Sequence, residues 1–342
     1  MTNCRRRIAL ARVRIDDVAK KAGVSKTTVS FVINETGSIA EATRQRVLDV
    51  VRDLGFSPSS MARGLRGRRT ATVGMVVPDL FGSYFFNLFA GVEETMERKG
   101  YVCYLGNANE DAEREERYLR SLLGWHVDGL IFAPMVERGR PMWRPPIEEK
   151  LPLIFVDRDP EVLGLSSHAY RSVSTTNHDA ALEGTLHLLA RAGGPVALIA
   201  PDVPKGPVWL RRQGYREAVG RAGQPPVERV LPGDSREIGR VLVTQLVESE
   251  SPPKGIFAAT NPCGLGAYLA LRERGLLRPG GVRLVVFDDA DWADVAGVTV
   301  IRTDPYRIGV MAASALLQDL EGSGAAERRM TIPAQLVCRS SS

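Results

Sequence analysis

The stretch IDDVAKKAGVSKTTVSFVIN, residues 15–34, decides the fold of the first part of this chain. Its apolar residues fit two short helices joined by a turn, at about Ile15–Ala22 and Lys26–Ile33. Gly23 supplies a turn residue that can take a positive φ, and the Ser25 hydroxyl can cap the second helix by accepting a hydrogen bond from an early backbone N–H. The spacing then predicts one shared inward face, formed by Val18, Ala19, Ala22, Val24, Val29 and Val32.

The outward face of the second helix carries Lys26, Thr27, Ser30 and Phe31. This is the layout of a helix-turn-helix, in which the second helix enters the major groove of DNA. The alternative is an ordinary helix pair in a larger core, where short Ala, Gly and Val patterns also occur. Charge favours DNA, because residues 1–70 hold 15 Lys/Arg against 6 Asp/Glu, whereas the rest of the chain holds 30 against 34. A basic front end on a slightly acidic body indicates an anionic polymer as partner.

Composition divides the front of the chain into three segments. Residues 1–13 are predicted to be a flexible basic arm, and residues 14–56 a headpiece of three helices. Residues 57–70, SPSSMARGLRGRRT, have four arginines and no acid and are predicted to be a hinge that can also form a short helix. Residues 71–342 remain for the core.

The core alternates short apolar runs with helical patterns from Ala71 onward, which predicts an α/β fold of parallel sheets flanked by helices on both faces. The alternation restarts after Ser172 and ends in a predicted strand, Thr331–Val337. We therefore expect two lobes with a cleft between them, and a ligand beyond the carboxyl ends of the strands. The expected bounds are about 71–171 and 304–331 for lobe one, and about 172–303 and 332–342 for lobe two.

Several classes of protein are disfavoured. No apolar run reaches the roughly 18–20 residues of a membrane helix. The cysteines, Cys4, Cys103, Cys263 and Cys338, lack metal or redox spacing, which favours a reducing cytoplasm. The apolar run Ile8–Ala11 is too short for a signal peptide, which argues against an exported solute-binding protein.

An enzyme is also disfavoured. Gly264-Leu-Gly266 follows a predicted strand like a dinucleotide fingerprint, but the third glycine is missing, and we interpret the pair as close helix packing. The sequence has no Gly-x-Ser-x-Gly elbow, no His pair at metal spacing and no Walker loop. We therefore expect no catalytic residue, no metal and no cofactor.

An ordered set of motifs resembles the bacterial lactose-repressor (LacI/GalR) family from Ile15 onward. Its most specific parts are residues 15–34, IAEATRQRV at 39–47 and GFSPSSMARGLR at 55–66. The core adds VDGLIF at 127–132, the run Arg211–Tyr215 and VVFDD at 285–289.

The resemblance implies a homodimer whose two headpieces lie on the half-sites of a near-palindromic operator in double-stranded DNA. It assigns base reading to Lys26, Thr27 and Phe31, although a polar side chain is more usual at the position of Phe31. Ser25, Thr28 and Ser30 are interpreted as caps and phosphate contacts. At the hinge, Leu65 matches a leucine that enters the minor groove, flanked by Ala62 and Arg63. The chain ends soon after the last strand, which favours a dimer over a tetramer.

The resemblance also implies an effector between the lobes, contacted by Tyr84, Phe85, Asp157, Lys205, Arg211, Thr260 and Asp288. An aromatic plate with Arg and Asp suits a sugar-like ligand and would also serve a nucleobase. For each residue a structural alternative stays open, since an Asp after a strand often caps a helix and aromatic pairs are often core. Thr176–Asn177 and Asn261 are uncharged where the family often has acids. The function expected is a ligand-responsive repressor, and the alternative is a solute-binding protein without a gene-regulatory role.

Overall fold

A computed structural model describes residues 13–33, 36–56, 69–80, 82–135, 150–166, 169–278, 280–323 and 327–342. The chain divides into two compact units, residues 1–70 and residues 71–342. Most of the predicted basic arm and the hinge residues Ala62, Arg63 and Leu65 lie outside the described residues.

The described residues of the first unit form a headpiece of three helices, α1 (Ile15–Ala22), α2 (Lys26–Ile33) and α3 (Glu41–Leu54). Gly23 joins α1 to α2 with a φ of 66°, the left-handed conformation that a glycine adopts without steric cost. The predicted helices and their turn are therefore observed. Five residues of the predicted inward face are buried and Val24 is half-buried, so that α1 and α2 close over a small apolar core with α3.

The second unit contains two six-stranded sheets. The first sheet comprises β1 (Thr72–Val77), β2 (Val102–Asn107), β3 (Gly129–Phe132), β4 (Leu153–Val156), β5 (Arg171–Thr175) and β11 (Arg329–Ile332). The second comprises β6 (Val196–Pro201), β7 (Val227–Leu231), β8 (Gly255–Ala258), β9 (Arg283–Phe287), β10 (Thr299–Arg302) and β12 (Gln335–Val337). The strand orders are β11-β5-β4-β3-β1-β2 and β12-β10-β9-β8-β6-β7, and every pairing is parallel except that of β12 with β10.

Helices cover both faces of each sheet, as predicted. The helices among the described residues of this unit are α4 (Tyr84–Glu97), α5 (Ala112–Gly124), α6 (Asn177–Ala192), α7 (Pro207–Arg221), α8 (Arg236–Val247), α9 (Asn261–Glu273), α10 (Asp291–Val295) and α11 (Pro305–Glu321). On the first sheet α4 and α11 pack on one face and α5 on the other. On the second sheet α6 and α7 share one face, and α8 and α9 the other.

Two boundaries differ from the sequence prediction. β5 pairs with β4 in the first sheet, so lobe one continues through Thr175 rather than ending near residue 171. The predicted strand Thr331–Val337 is two strands, because Pro333, which lacks a backbone N–H, stands between β11 in the first sheet and β12 in the second. The chain therefore crosses between the lobes three times: after β5, after β10 and after β11.

Among the described residues, no helix is both long and apolar enough to cross a membrane.

Candidate nucleic-acid interface and ligand cleft

The start of α2 is held by its own side chains. The Ser25 hydroxyl accepts a hydrogen bond of 3.0 Å from the backbone N–H of Thr28, and the two side-chain oxygens lie 2.9 Å apart, so one hydroxyl donates to the other. Ser25 therefore caps the helix as the sequence predicts. A helix N-terminus also presents backbone donors and a positive dipole end, which suits a phosphate group.

The outward face of α2 is open to solvent. Lys26 and Thr27 are exposed, and Phe31 retains 42% of its accessible surface. Lys26 forms an ion pair with Asp16 of α1, whereas Val29 and Val32 anchor the opposite face of α2 in the core. The three predicted base-reading side chains thus project from a rigid support. The ion pair is exposed and adds little stability, so DNA can replace it at small cost.

The loop after α2 lies against the ring of Phe31. Gly37 has a φ of 78°, and a Cβ added there would come within 3.2 Å of the Phe31 ring. This contact covers one side of the ring and leaves the rest exposed. Ser30, the other predicted phosphate contact on this helix, is half-buried.

The cleft of the second unit is built around Arg211, which is 4% exposed. Its Nε donates to Oδ1 of Asn177 at 2.8 Å, and its Nη1 donates to the carbonyl of Ala259 at 2.8 Å. The guanidinium lies 3.6 Å from the ring centroid of Phe287, and Nη1 is 3.5 Å from Oδ2 of Asp288. A buried charge needs partners of this kind, and together they fix the direction of the guanidinium.

Asp157 and Asp288 occupy matching positions in the two lobes. Each follows the strand that stands third in its sheet, β4 or β9, and each has a left-handed backbone, with φ of 62° and 72°. Each backbone N–H donates at 3.0 Å to the neighbouring strand, to the carbonyl of Val173 and of Ile301 respectively. Such a conformation costs a non-glycine residue about 1–3 kcal/mol and is enriched at ligand sites, although Ala71, His126 and Lys150 of this chain also adopt it.

Lobe one contributes Tyr84, at the start of α4. Its hydroxyl donates to Oδ1 of Asp157 at 2.9 Å. Burial, followed by the carboxylates of Asp157 and Asp288, raises the pKa of Tyr84 well above its usual value, while Arg211 opposes the rise. Since Asp288 and Arg211 belong to lobe two, the two lobes bring their predicted contacts within electrostatic range of each other.

The pKa of Asp157 is also raised. Burial is the main cause and Asp288 adds to it, whereas Arg158, Arg211 and the hydrogen bond from Tyr84 lower it. The carboxylate of Asp157 therefore lies in a partly desolvated site that holds charges of both signs.

The other three predicted effector contacts fall in different surroundings. Thr260 is buried and donates to Oδ1 of Asp234 at 2.7 Å. Phe85 is 7% exposed in the core of lobe one and meets the Tyr84 ring edge-on at 5.1 Å, so it supports Tyr84, and its effector contact stays a prediction. Lys205 is exposed in the loop before α7, and its effector contact stays a prediction.

Three polar residues of this site, Thr303, Asp234 and Arg158, were not predicted from the sequence, and Asn177 was noted only as an uncharged residue where the family often has an acid. Asn177 orients Arg211, Thr303 donates to Oδ1 of Asp288 at 2.8 Å, Asp234 binds Thr260, and Arg158 lies beside Asp157. All four follow the carboxyl end of a strand, and the strands before Asn177, Thr303 and Asp234 were not predicted. Within the described part of the chain, no three His, Cys, Asp or Glu side chains are grouped so that they could hold a metal ion.

Two family models match this chain. One, described as periplasmic binding proteins and sugar binding domain of LacI family, matches residues 70–340, and the other, bacterial regulatory proteins, lacI family, matches residues 14–59. The chain belongs to the LacI family. The resemblance identified in the motifs is thereby confirmed.

Relatives within the LacI family match nearly the whole chain. The HTH-type transcriptional regulator PtxS of Pseudomonas putida is 30% identical over 334 residues, covering 96% of both chains. The HTH-type transcriptional repressor PurR of Vibrio atlanticus is 29% identical over 332 residues, covering 95% of this chain and 97% of its own. Both are regulators of transcription, in agreement with the prediction of a regulator rather than an enzyme.

Solved LacI-family structures share the fold. The lac repressor dimer bound to operator and the anti-inducer ONPF has a TM-score of 0.81 at 24% identity, covering 96% of this chain and 98% of that one. The transcriptional regulator CelR in complex with cellobiose has a TM-score of 0.69 at 26% identity, covering 97% of this chain and all of that one (100%).

Proposed function

We propose that this LacI-family protein is a repressor that binds operator DNA as a homodimer and changes its operator affinity when a small effector enters the cleft. The exposed face of α2 carries the proposal, because Lys26, Thr27 and Phe31 project together from a buried apolar support. Lys26 can donate to guanine N7 or O6, Thr27 offers a hydroxyl and a methyl group, and Phe31 suits a thymine methyl. We assign such a regulator to the cytoplasm, where its operator DNA lies.

The hinge extends this interface into the minor groove. Leu65, flanked by Ala62 and Arg63, is assigned as the residue that wedges between base pairs at the operator centre. Unstacking the bases costs energy, and added contacts of the bent duplex repay it. In the proposed hinge helix, whose residues lie outside those described, Gly64 costs roughly 1 kcal/mol relative to Ala, which suits a helix that forms when two copies meet on DNA.

The effector is assigned to Tyr84, Asp157, Arg211 and Asp288, with Thr260 and Lys205 as further contacts. An aromatic ring beside one arginine and two carboxylates suits the ring face and hydroxyl pairs of a sugar-like ligand. The CelR–cellobiose complex, a relative at 26% identity, supports this assignment.

Ligand binding in the cleft can affect the hinge because the central residues of the cleft hold the chain where it crosses between the lobes. Arg211 donates to Asn177, directly after the first crossing, and Asp288 accepts from Thr303, in the second. At the third crossing, the backbone N–H of Ala334 donates to Thr176 Oγ1 at 3.1 Å. Linkage to DNA requires that the ligand bind two lobe arrangements with different affinities, and a ligand that competes for Arg211 and Asp288 acts on the contacts that hold these crossings.

The test is selection of genomic DNA fragments by the full chain, followed by titration of the selected operator with and without effector. A palindromic operator bound by two copies is expected. Thermal denaturation against sugars, sugar phosphates and purines identifies the effector, since a ligand of the native state raises the midpoint. Operator titration with that ligand then gives the sign, because an inducer weakens DNA binding and a corepressor strengthens it. A ligand that binds while no DNA is selected would favour the solute-binding protein instead.

A further inference from the structure

Two acidic loops stand at matching positions beside the cleft. β2 and β7 are both edge strands, and each is followed by a loop that carries an exposed carboxylate, Glu110 after β2 and Asp234 after β7. Since the carboxyl ends of the strands in both sheets face the cleft, these loops form the same side of it, one from each lobe.

Both loops are held in place by the fold. The backbone N–H of Glu110 donates to the carbonyl of Pro78 at 2.8 Å, and Asn109 and Glu110 have left-handed φ values of 56° and 55°. Asp234 accepts from Thr260 at 2.7 Å and from the thiol of Cys263 at 3.4 Å. The backbone of Glu110 and the carboxylate of Asp234 are thus held in place beside the cleft.

The two carboxylates act on one another across the cleft. Partial desolvation raises the pKa of Glu110, Arg158 lowers it, and Asp79 and Asp234 raise it further. A carboxylate of lobe two therefore raises the pKa of a group in lobe one, as Asp288 does for Tyr84 deeper in the site.

The described residues of the cleft carry an excess of negative charge. Four carboxylates, Glu110, Asp157, Asp234 and Asp288, are set against three cations: the guanidinium groups of Arg158 and Arg211 and the exposed ammonium group of Lys205. Arg158 already donates to the carbonyl of Pro134 at 2.7 Å and lies 3.8 Å from Asp157. Arg211 donates to Asn177 and to the carbonyl of Ala259 and lies 3.5 Å from Asp288. Both guanidinium groups therefore already lie beside carboxylates of the cleft.

We propose that this cleft selects an uncharged or positively charged polyhydroxylated ligand, such as a neutral sugar or an amino sugar, and rejects sugar acids and sugar phosphates, with Glu110 and Asp234 as the discriminating pair. The proposal rests on the assignment of the cleft as the effector site. An anionic group meets fixed carboxylates in a partly desolvated site, where repulsion is stronger than in water. An ammonium group would instead bridge the two loops and relieve their mutual repulsion.

The test uses ligand sets that share a framework and differ in charge. Glucose, galactose and ribose are each offered to the full chain as the free sugar, the amino sugar, the aldonic acid and the phosphate ester. Thermal denaturation identifies which of the three sugars, in any of its four forms, binds the protein. Calorimetry then gives the Kd of each of the four forms of that sugar. A free or amino sugar that binds at least about tenfold more tightly than its acid and its phosphate is the expected result.

The outcomes separate this proposal from the one on which it rests. Tighter binding of an acid or a phosphate overturns the charge preference and leaves the effector site intact. Failure of every member to bind overturns the effector assignment itself, and the charge preference with it. Selection of operator DNA is a separate measurement and does not depend on either result.

A pair of variants tests the role of Glu110. Glu110→Gln removes one charge at the cleft, whereas Glu113→Gln removes the same charge from the exposed surface of α5. Glu110→Gln should reduce the ratio of the acid's Kd to the free sugar's Kd about threefold to tenfold, and Glu113→Gln should leave it unchanged. An equal ratio in wild type and both variants would remove Glu110 from the discriminating pair.

Discussion

The hydroxyl of Thr303 donates a hydrogen bond of 2.8 Å to the carboxylate of Asp288. Thr303 lies where the chain leaves β10 in lobe two and enters α11 on lobe one. Asp288 also lies 3.5 Å from the buried Arg211. One carboxylate thus joins the proposed ligand site to a crossing between the lobes.

Thr303→Val should change the coupling between effector binding and operator binding. The variant keeps the shape of the side chain and removes one hydrogen bond, worth about 1 kcal/mol or roughly fivefold in an equilibrium constant. Operator titration at several effector concentrations should show the coupling between the two ligands changed by about that factor. Thr331→Val makes the same chemical change on the exposed side of β11 and serves as the control. Equal coupling in both variants would contradict the assigned role of Thr303.

The sequence predicted the headpiece well because its structure is local. Gly23, Ser25 and the spacing of valines and alanines act within twenty residues, and each acts as expected in α1 and α2. Arg211 and Asp288 were also predicted, because they belong to motifs of a recognisable family. Thr303 was not predicted, because it belongs to none of those motifs, although the β-branched sequence of β10, TVIR, is typical of a strand. Asn177 was noted only as an uncharged residue where the family often has an acid, because the strand before it has a sequence that does not look like a strand.

β5 shows why. Its sequence, RSVST, is mostly polar, yet all five residues are buried. Arg171 makes this possible, since its guanidinium donates to Asp319 at 3.0 Å, to Gln318 at 3.0 Å and to the carbonyl of Ala315 at 2.9 Å, all on α11. These partners are about 150 residues away in the chain, so no local pattern reveals that a charged residue here starts a buried strand.

Close helix packing in lobe one should make Gly309→Ala destabilising. A Cβ at Gly309 of α11 would lie 2.0 Å from the carbonyl of Leu88 in α4, so the helices must separate. We expect a loss of at least about 2 kcal/mol in the free energy of unfolding. Gly220→Ala, in α7, has no atom within 4 Å of the new Cβ and should instead gain roughly 0.5–1 kcal/mol. Urea denaturation of both variants checks the contrast, and equal shifts would contradict it.

Asp157→Asn should make stability less sensitive to pH. The pKa of Asp157 is raised in the folded protein, mainly by burial, so between the ordinary and the raised pKa the folded state binds more protons than the unfolded state. Wild-type stability contributed by this group therefore falls as pH rises through that window. An asparagine can still accept from Tyr84 but carries no charge to desolvate. Urea denaturation at pH values from 4 to 8 should show a smaller fall for Asp157→Asn than for wild type.

The control for this measurement is Asp202→Asn, which changes a carboxylate that is 58% exposed in its side chain. Its profile should follow the wild type. If Asp157→Asn and wild type lost stability in parallel as pH rises, the desolvated carboxylate would not be the cause.

Leu65→Ala should lose operator affinity and leave nonspecific DNA binding nearly intact. A wedge acts only on a sequence that can be kinked, whereas nonspecific binding depends on phosphate charge. Fluorescence titration of the full chain with operator and with random duplex at one salt concentration makes the comparison. Equal losses on both duplexes would contradict the wedge assignment.

Lys26→Ala should weaken operator binding by about 1–3 kcal/mol and relax the preference at one base pair of each half-site. Lys26 is exposed on α2 and its partner Asp16 is also exposed, so the headpiece should keep its fold. The control is Lys254→Ala, which removes the same charge from an exposed position in lobe two. Titration of the operator and of duplexes with one base pair changed separates the two effects of Lys26. If Lys26→Ala weakened binding to every duplex equally, Lys26 would contact phosphate instead, since a phosphate contact strengthens binding without distinguishing bases.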